Sequence, residues 1–118
     1  MAKVNTLYSE CRRILCRTAK RRKTITYGDL AAALGLPSPR RRWSTVLNPI
    51  CEEEKRKTGS DLTLVVVYKT GPAKGLGRYF SNTGRPQSTL LDPFDRKQVT
   101  AYKQERERVF DTYNRSTC

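Results

Sequence analysis

Histidine is absent from this chain, and with it the one side chain whose unperturbed pKa places proton transfer near neutral pH. Histidine-based acid–base catalysis and histidine metal ligation are thereby excluded. The four cysteines, Cys11, Cys16, Cys51 and Cys118, form no Cys-x-x-Cys pair, so a zinc site would need scattered thiolates and no metal is expected. All four read as reduced thiols, with Cys11 and Cys16 on different faces of one helix and Cys118 at a frayed terminus. Long apolar runs are missing too. None approaches the ~18 residues that a membrane span requires, and the N-terminus lacks the apolar stretch of a signal peptide. Paired carboxylates in an apolar setting, a Gly-Lys phosphate loop and a nucleophile beside a base are all absent. The expectation is a non-enzymatic protein without cofactor or small-molecule substrate.

Acidic residues are scarce as well, and that scarcity is informative. Eleven Asp and Glu stand against 24 Lys and Arg, giving a net charge of +13 and a pI near 10.1. So strong a positive balance on 118 residues points to a polyanionic partner, nucleic acid first, although charge alone does not choose DNA over RNA. A membrane surface is not expected, because no amphipathic helix offers a large apolar face that the core does not need. The expected location is cytoplasmic, associated with the nucleoid. The length suits a single domain, residues 1–118.

Along the chain, Asn5 or Thr6 can cap a helix of about residues 6–19 in which Leu7, Cys11, Ile14, Leu15 and Thr18 face inward and Arg12, Arg13 and Arg17 face away. After the basic run Lys20-Arg21-Arg22-Lys23, Thr26 caps a short helix from Tyr27 to Leu34, with Leu30, Ala31 and Leu34 as its buried stripe and Gly35 as its stop. A third helix is expected over about residues 40–56, broken or kinked at Asn48-Pro49. Its Glu52, Glu53 and Glu54 read as solvated surface paired with Arg56 and Lys57. Leu62 to Tyr68 reads as a strand from its β-branched content, Lys69 to Gly75 as a hairpin loop, and Leu76 to Phe80 as the returning strand. Residues 81–95 read as an extended loop. A last helix over about 95–113 turns Val99, Tyr102, Val109, Phe110 and Tyr113 toward the domain or a partner. The expected fold is α+β: a winged helix-turn-helix with a small antiparallel β-hairpin and an additional C-terminal helix, its core spanning 6–80.

In such a fold the second helix of the helix-turn-helix opens on Arg40-Arg41-Arg42, whose guanidinium groups can bridge phosphates or grip guanine edges. Three successive side chains point three ways around a helix, so one or two of them face DNA. Ser44 lies beside them. Trp43 reads as a core anchor rather than a stacking platform. Tyr27 either donates its hydroxyl to a phosphate or simply packs. Lys69, Lys74 and Arg78 on the wing suit the adjoining minor groove. The run Lys20, Arg21, Arg22 and Lys23 reads equally as a phosphate-touching segment or a solvated linker.

Ile25-Thr26-Tyr27-Gly28-Asp29-Leu30-Ala31, Arg41, Asn48-Pro49 and the span from Leu64 to Tyr79 with Gly77-Arg78-Tyr79 together resemble the DNA-binding domain of the DNA alkyltransferases and the alkyltransferase-like proteins. That resemblance implies a winged helix in which Tyr27 helps rotate a nucleotide and Arg41 acts as an intercalating finger. It departs at the reactive site, where Thr63 stands at the family's cysteine position and the accompanying histidine and arginine are missing. Alkyl transfer is therefore not expected. The arrangement around Leu62-Thr63 and Lys69-Thr70-Gly71 is also similar to a set of small uncharacterised bacterial and phage-type proteins. The leading expectation is binding of double-stranded DNA. Its alternatives are recognition of damaged DNA by base flipping without repair chemistry, and a protein-interaction module of phage or host regulatory origin that holds its partner through the C-terminal helix.

Overall fold

The computed structural model describes residues 2–36, 43–72, 74–77, 94–115 and 118. In chain order the described elements are α1 (Ala2–Lys20), β1 (Ile25–Thr26), α2 (Tyr27–Ala33), α3 (Trp43–Thr58), a 3₁₀ turn (Leu62–Val65), β2 (Val66–Val67) and α4 (Arg96–Asn114). Mixed helix with a small sheet is thus the architecture. No helix among the described residues is long and apolar enough to cross a membrane.

The helices form where local chemistry starts and stops them. The Thr26 hydroxyl accepts from the backbone of Asp29 at 3.1 Å and opens α2, while Asp95 accepts from the amides of Lys97 and Gln98 and opens α4. Each satisfies donors that a helix start leaves orphaned. Gly35, at φ 69°, takes the left-handed turn that ends α2 and lets Leu36 N–H reach the Ala31 carbonyl at 2.9 Å. Two boundaries differ from expectation. α1 begins at Ala2 rather than at a cap near Asn5 or Thr6, because mid-helix Asn and Thr each cost only a few tenths of a kcal/mol and no Gly or Pro interrupts the run. α3 runs through Pro49 as one helix; Pro49 is exposed, so the carbonyl it leaves unpaired can turn to water.

At the centre sits the 3₁₀ turn, against which α1, α3 and α4 all pack. Leu62, Thr63, Leu64, Val65, Val66 and Val67 are all buried. This corrects the expected strand from Leu62 to Tyr68. Asp61 caps the turn by accepting from Thr63 N–H at 2.9 Å, and burial on all sides, which an apolar β-branched run signals equally well, does not require a strand. Only Val66–Val67 is extended. It pairs in parallel with β1, Ile25 opposite Val66 and Thr26 opposite Val67, so the small sheet is parallel and not the expected antiparallel hairpin. The chain after β2 nevertheless turns back. Tyr68 N–H donates to Leu76 O and Gly75 N–H to Tyr68 O, both at 2.9 Å, and Val67 meets Gly77 in one antiparallel bridge. The rest of the expected returning strand, Arg78 to Phe80, and the loop from 81 to 93 lie outside the described residues.

Gly77 is the tightest point of this return. A Cβ there would lie 2.2 Å from the Val66 carbonyl oxygen and 2.9 Å from the Tyr102 hydroxyl. The first obstacle is backbone and cannot swing away. Gly77→Ala is expected to destabilise the protein by roughly 1–3 kcal/mol, in the range of core overpacking, read as a lowered denaturation midpoint. An unchanged midpoint would show that the loop can lift from β2 at no cost.

α1 and α4 pack side by side. Cys11, Leu15, Cys16 and Ala19 of the first and Tyr102, Val109, Phe110 and Tyr113 of the second are buried in one core. The C-terminal helix is thus part of the domain. Two further expectations are corrected here. Cys16 and Cys118 are joined in a disulfide across 102 positions, so they are not reduced thiols and the C-terminal residue is tethered. Glu54 is buried and is not solvated surface. It accepts from Arg12 Nε at 2.9 Å, from Arg12 Nη2 at 3.3 Å and from the Tyr113 hydroxyl. Arg12, expected to face away, turns inward to meet it.

Candidate nucleic-acid interface

Three aromatic side chains gather where α2, α3 and the loop after β2 converge. Tyr27 is the first residue of α2, Trp43 the first of α3, and Tyr68 the first after β2. The Tyr27 ring lies 5.6 Å from Trp43 and 5.1 Å from Tyr68, centroid to centroid, with both pairs tilted. Tilted pairs at these distances contribute about 0.5–1.5 kcal/mol each beyond the area they bury. Trp43 and Tyr27 are half-buried against the core, which agrees with the packing reading of both, while Tyr68 is 36% exposed.

The loop beyond Tyr68 turns at its glycines. Gly71 and Gly75 take φ of 87° and 79°, values that L side chains resist, and Lys74 N–H donates to Gly71 O at 3.1 Å. Lys69 and Lys74 are exposed, and among the described residues neither meets an acidic side chain. The sequence-derived site residues Arg40, Arg41, Arg42 and Arg78 lie outside the described residues, and of Ser44 only the helical backbone is described.

The basic run at the end of α1 divides. Lys20, Arg21 and Lys23 are exposed, but Arg22 is committed to the fold. Its guanidinium donates to Asp111 and Glu107, both at 2.8 Å, and lies 5.5 Å over the Phe110 ring. The residue adopts φ 56°, an unfavourable backbone for arginine, and its two ion pairs link the end of α1 to α4. Sequence reading missed this strut because its partners stand 85 and 89 positions away.

Thr63, Cys11 and Glu54 are each held within the fold. Thr63 is 5% exposed, and its hydroxyl donates to Asp61 at 2.5 Å. Burial pushes the Cys11 thiol up to about 12, far from the thiolate a nucleophile needs. For Glu54, burial alone favours the neutral acid, but hydrogen bonds from Arg12 and Tyr113 outweigh it and hold the carboxyl below the usual carboxylate range. Tyr113 moves the opposite way, raised by burial and by the carboxylate it faces. No group of three or more potential metal ligands occurs among the described residues. No protein-family model, curated protein or solved structure matches the chain.

Proposed function

We propose that the protein binds double-stranded DNA through the face formed by the starts of α2 and α3 and the lysine-bearing loop. The observation that carries this is the aromatic cluster. Through Tyr27, it brings the first residue of α3 and the root of the loop within 5.6 Å and 5.1 Å of one ring. Arg40, Arg41 and Arg42 immediately precede Trp43 in the sequence, as Lys69 directly follows Tyr68, and both sets are the proposed contacts to the duplex. Guanidinium groups at a helix start suit the major groove, and a basic loop beside it suits the adjoining phosphates or minor groove. On this reading the face works as a winged helix does, with Tyr27 among its contacts and Ser44 and Arg78 as further DNA-binding residues.

Two observations support plain duplex binding over the rivals. Thr63, which an alkyltransferase-like reading would set beside an extruded base, is buried with its hydroxyl on Asp61. Tyr102 and Tyr113, which a partner-binding helix would display, are fully buried.

Salt titration is the test. With six phosphates neutralised, the affinity for a short duplex falls by about three decades between 50 and 200 mM salt. Replacing Arg40, Arg41 and Arg42 together by glutamine flattens that dependence by up to three contacts, while methylated and unmethylated guanine duplexes bind alike. A salt-independent affinity, or a triple variant that binds as tightly as the parent, would refute the proposal.

A further inference from the structure

Arginine is abundant in this chain, and five of the described guanidinium groups meet carboxylates. Arg12 meets Glu54, Arg13 meets Glu10, Arg22 meets Glu107 and Asp111, Arg56 meets Glu53, and Arg108 meets Glu105. Arg106 of α4 differs. Its Nη1 donates to the Gly75 carbonyl at 3.0 Å and to the Tyr102 hydroxyl at 3.4 Å, and its guanidinium lies 5.1 Å over the Tyr102 ring. Among the described residues no carboxylate meets it; it lies instead beside the loop that carries Lys69 and Lys74.

Everything under that guanidinium is fixed. The Tyr102 hydroxyl donates to Leu64 O at 2.6 Å, anchoring the ring to the central 3₁₀ turn, and Gly77 passes so close that no Cβ fits between the loop's return and Tyr102. The loop's root is closed by two hydrogen bonds, Tyr68 N–H to Leu76 O and Gly75 N–H to Tyr68 O, and Gly75, at positive φ, is also the point where α4 reaches the loop. A two-residue strand and a glycine-hinged loop have little stiffness of their own. An added donor at Gly75 O, backed by a stacked and buried tyrosine, supplies it.

We propose that Arg106 is the positioning residue of the interface: from α4 it clamps Gly75 and so sets where Lys69 and Lys74 stand, an inference that rests on the DNA-binding reading above. Arg106 acts through the two lysines and is not itself the main phosphate contact. The cost of losing it is therefore the cost of misplacing them, paid once.

The experiment measures fluorescence anisotropy of a 20-base-pair duplex at several salt concentrations with the full chain, its Arg106→Gln and Arg106→Lys variants, the Lys69→Gln/Lys74→Gln variant, and the combination of Arg106→Gln with the latter. It is paired with amide hydrogen exchange of Tyr68 and Gly75. Arg106→Gln is expected to weaken binding about tenfold and to reduce the salt slope by nearly two contacts, more than the ~0.9 that one lost phosphate contact removes. In the lysine-free background it should change affinity less than twofold. Arg106→Lys keeps the charge and the aliphatic stem over Tyr102 but loses the planar fork, so it folds, speeds exchange at Tyr68 and Gly75, and only partly restores affinity. Full rescue by lysine, additive effects in the combined variant, or unchanged exchange at both amides would overturn the assignment. If the lysine variant binds as tightly as the parent while the slope persists, the wing falls from the DNA-binding reading and the positioning role with it. If no protein in the set shows a salt slope, the DNA-binding reading itself has failed.

Discussion

A chain ending at Asp95 is expected not to fold. The truncation removes α4, and with it Tyr102, Val109, Phe110 and Tyr113 from the single buried cluster. An aromatic side chain that buries 150–250 Å² contributes on the order of 4–6 kcal/mol at ~25 cal/mol/Å². The three aromatics here together match or exceed the ~5–15 kcal/mol by which a domain is stable at all. The loss is compounded at both ends of the helix. Arg22 loses Asp111 and Glu107, Glu54 loses the Tyr113 hydroxyl, and Cys16 loses its disulfide partner. Circular dichroism of residues 1–95 should show no cooperative thermal transition, and duplex binding should lose its structural basis. A truncated chain that melts cooperatively, with the helix content of α1, α2 and α3, would show that the core does not need α4.

The second large effect is expected at the Arg12–Glu54–Tyr113 cluster, which joins α1, α3 and α4. The Glu54 side chain is 0% exposed and that of Arg12 33%, so the two halves of the pair are not equivalent. Arg12→Met strands a buried carboxylate with only a phenol to satisfy it, at a cost of about 3–5 kcal/mol. Glu54→Gln is milder, about 1–3 kcal/mol, because Arg12 can turn to water while Tyr113 keeps an amide acceptor. If the two variants were equally destabilised, the asymmetry of burial would not be controlling the energy.

The same cluster sets a pH dependence. Since the Glu54 pKa is lower in the folded chain than its ordinary value, the stabilisation is present above the unfolded carboxylate range of about 4.3 and is lost as pH falls toward the folded value. Urea midpoints measured from pH 7 down to pH 3 should therefore drop steeply below about pH 4.3 in the parent. In Glu54→Gln that part of the acid slope should vanish. An equal acid slope in both proteins would assign the acid sensitivity to other carboxylates.

The sequence by itself determined the bounds of α2 and α4, because they are announced by chemistry within a few residues: the hydroxyl of Thr26, the carboxylate of Asp95, the left-handed turn at Gly35 and the apolar spacing that places Tyr102, Val109, Phe110 and Tyr113 on one face. It also determined the charge, which is a property of composition. It did not announce β1, although Thr24-Ile25-Thr26 carries a β-branched signal, and it misread Leu62 to Val65, since an apolar run reports burial and only its surroundings decide between turn and strand. What tertiary structure alone decided are the long-range partnerships. Arg12 with Glu54 is 42 positions apart, Glu54 with Tyr113 is 59, and Cys16 with Cys118 is 102. Local pattern carries no information about which distant charge, hydroxyl or thiol will be brought alongside. Whether a carboxylate such as Glu54 is solvated or buried, and whether an arginine such as Arg106 serves a loop or a phosphate, follows from the packing of α1, α3 and α4 around one turn of chain.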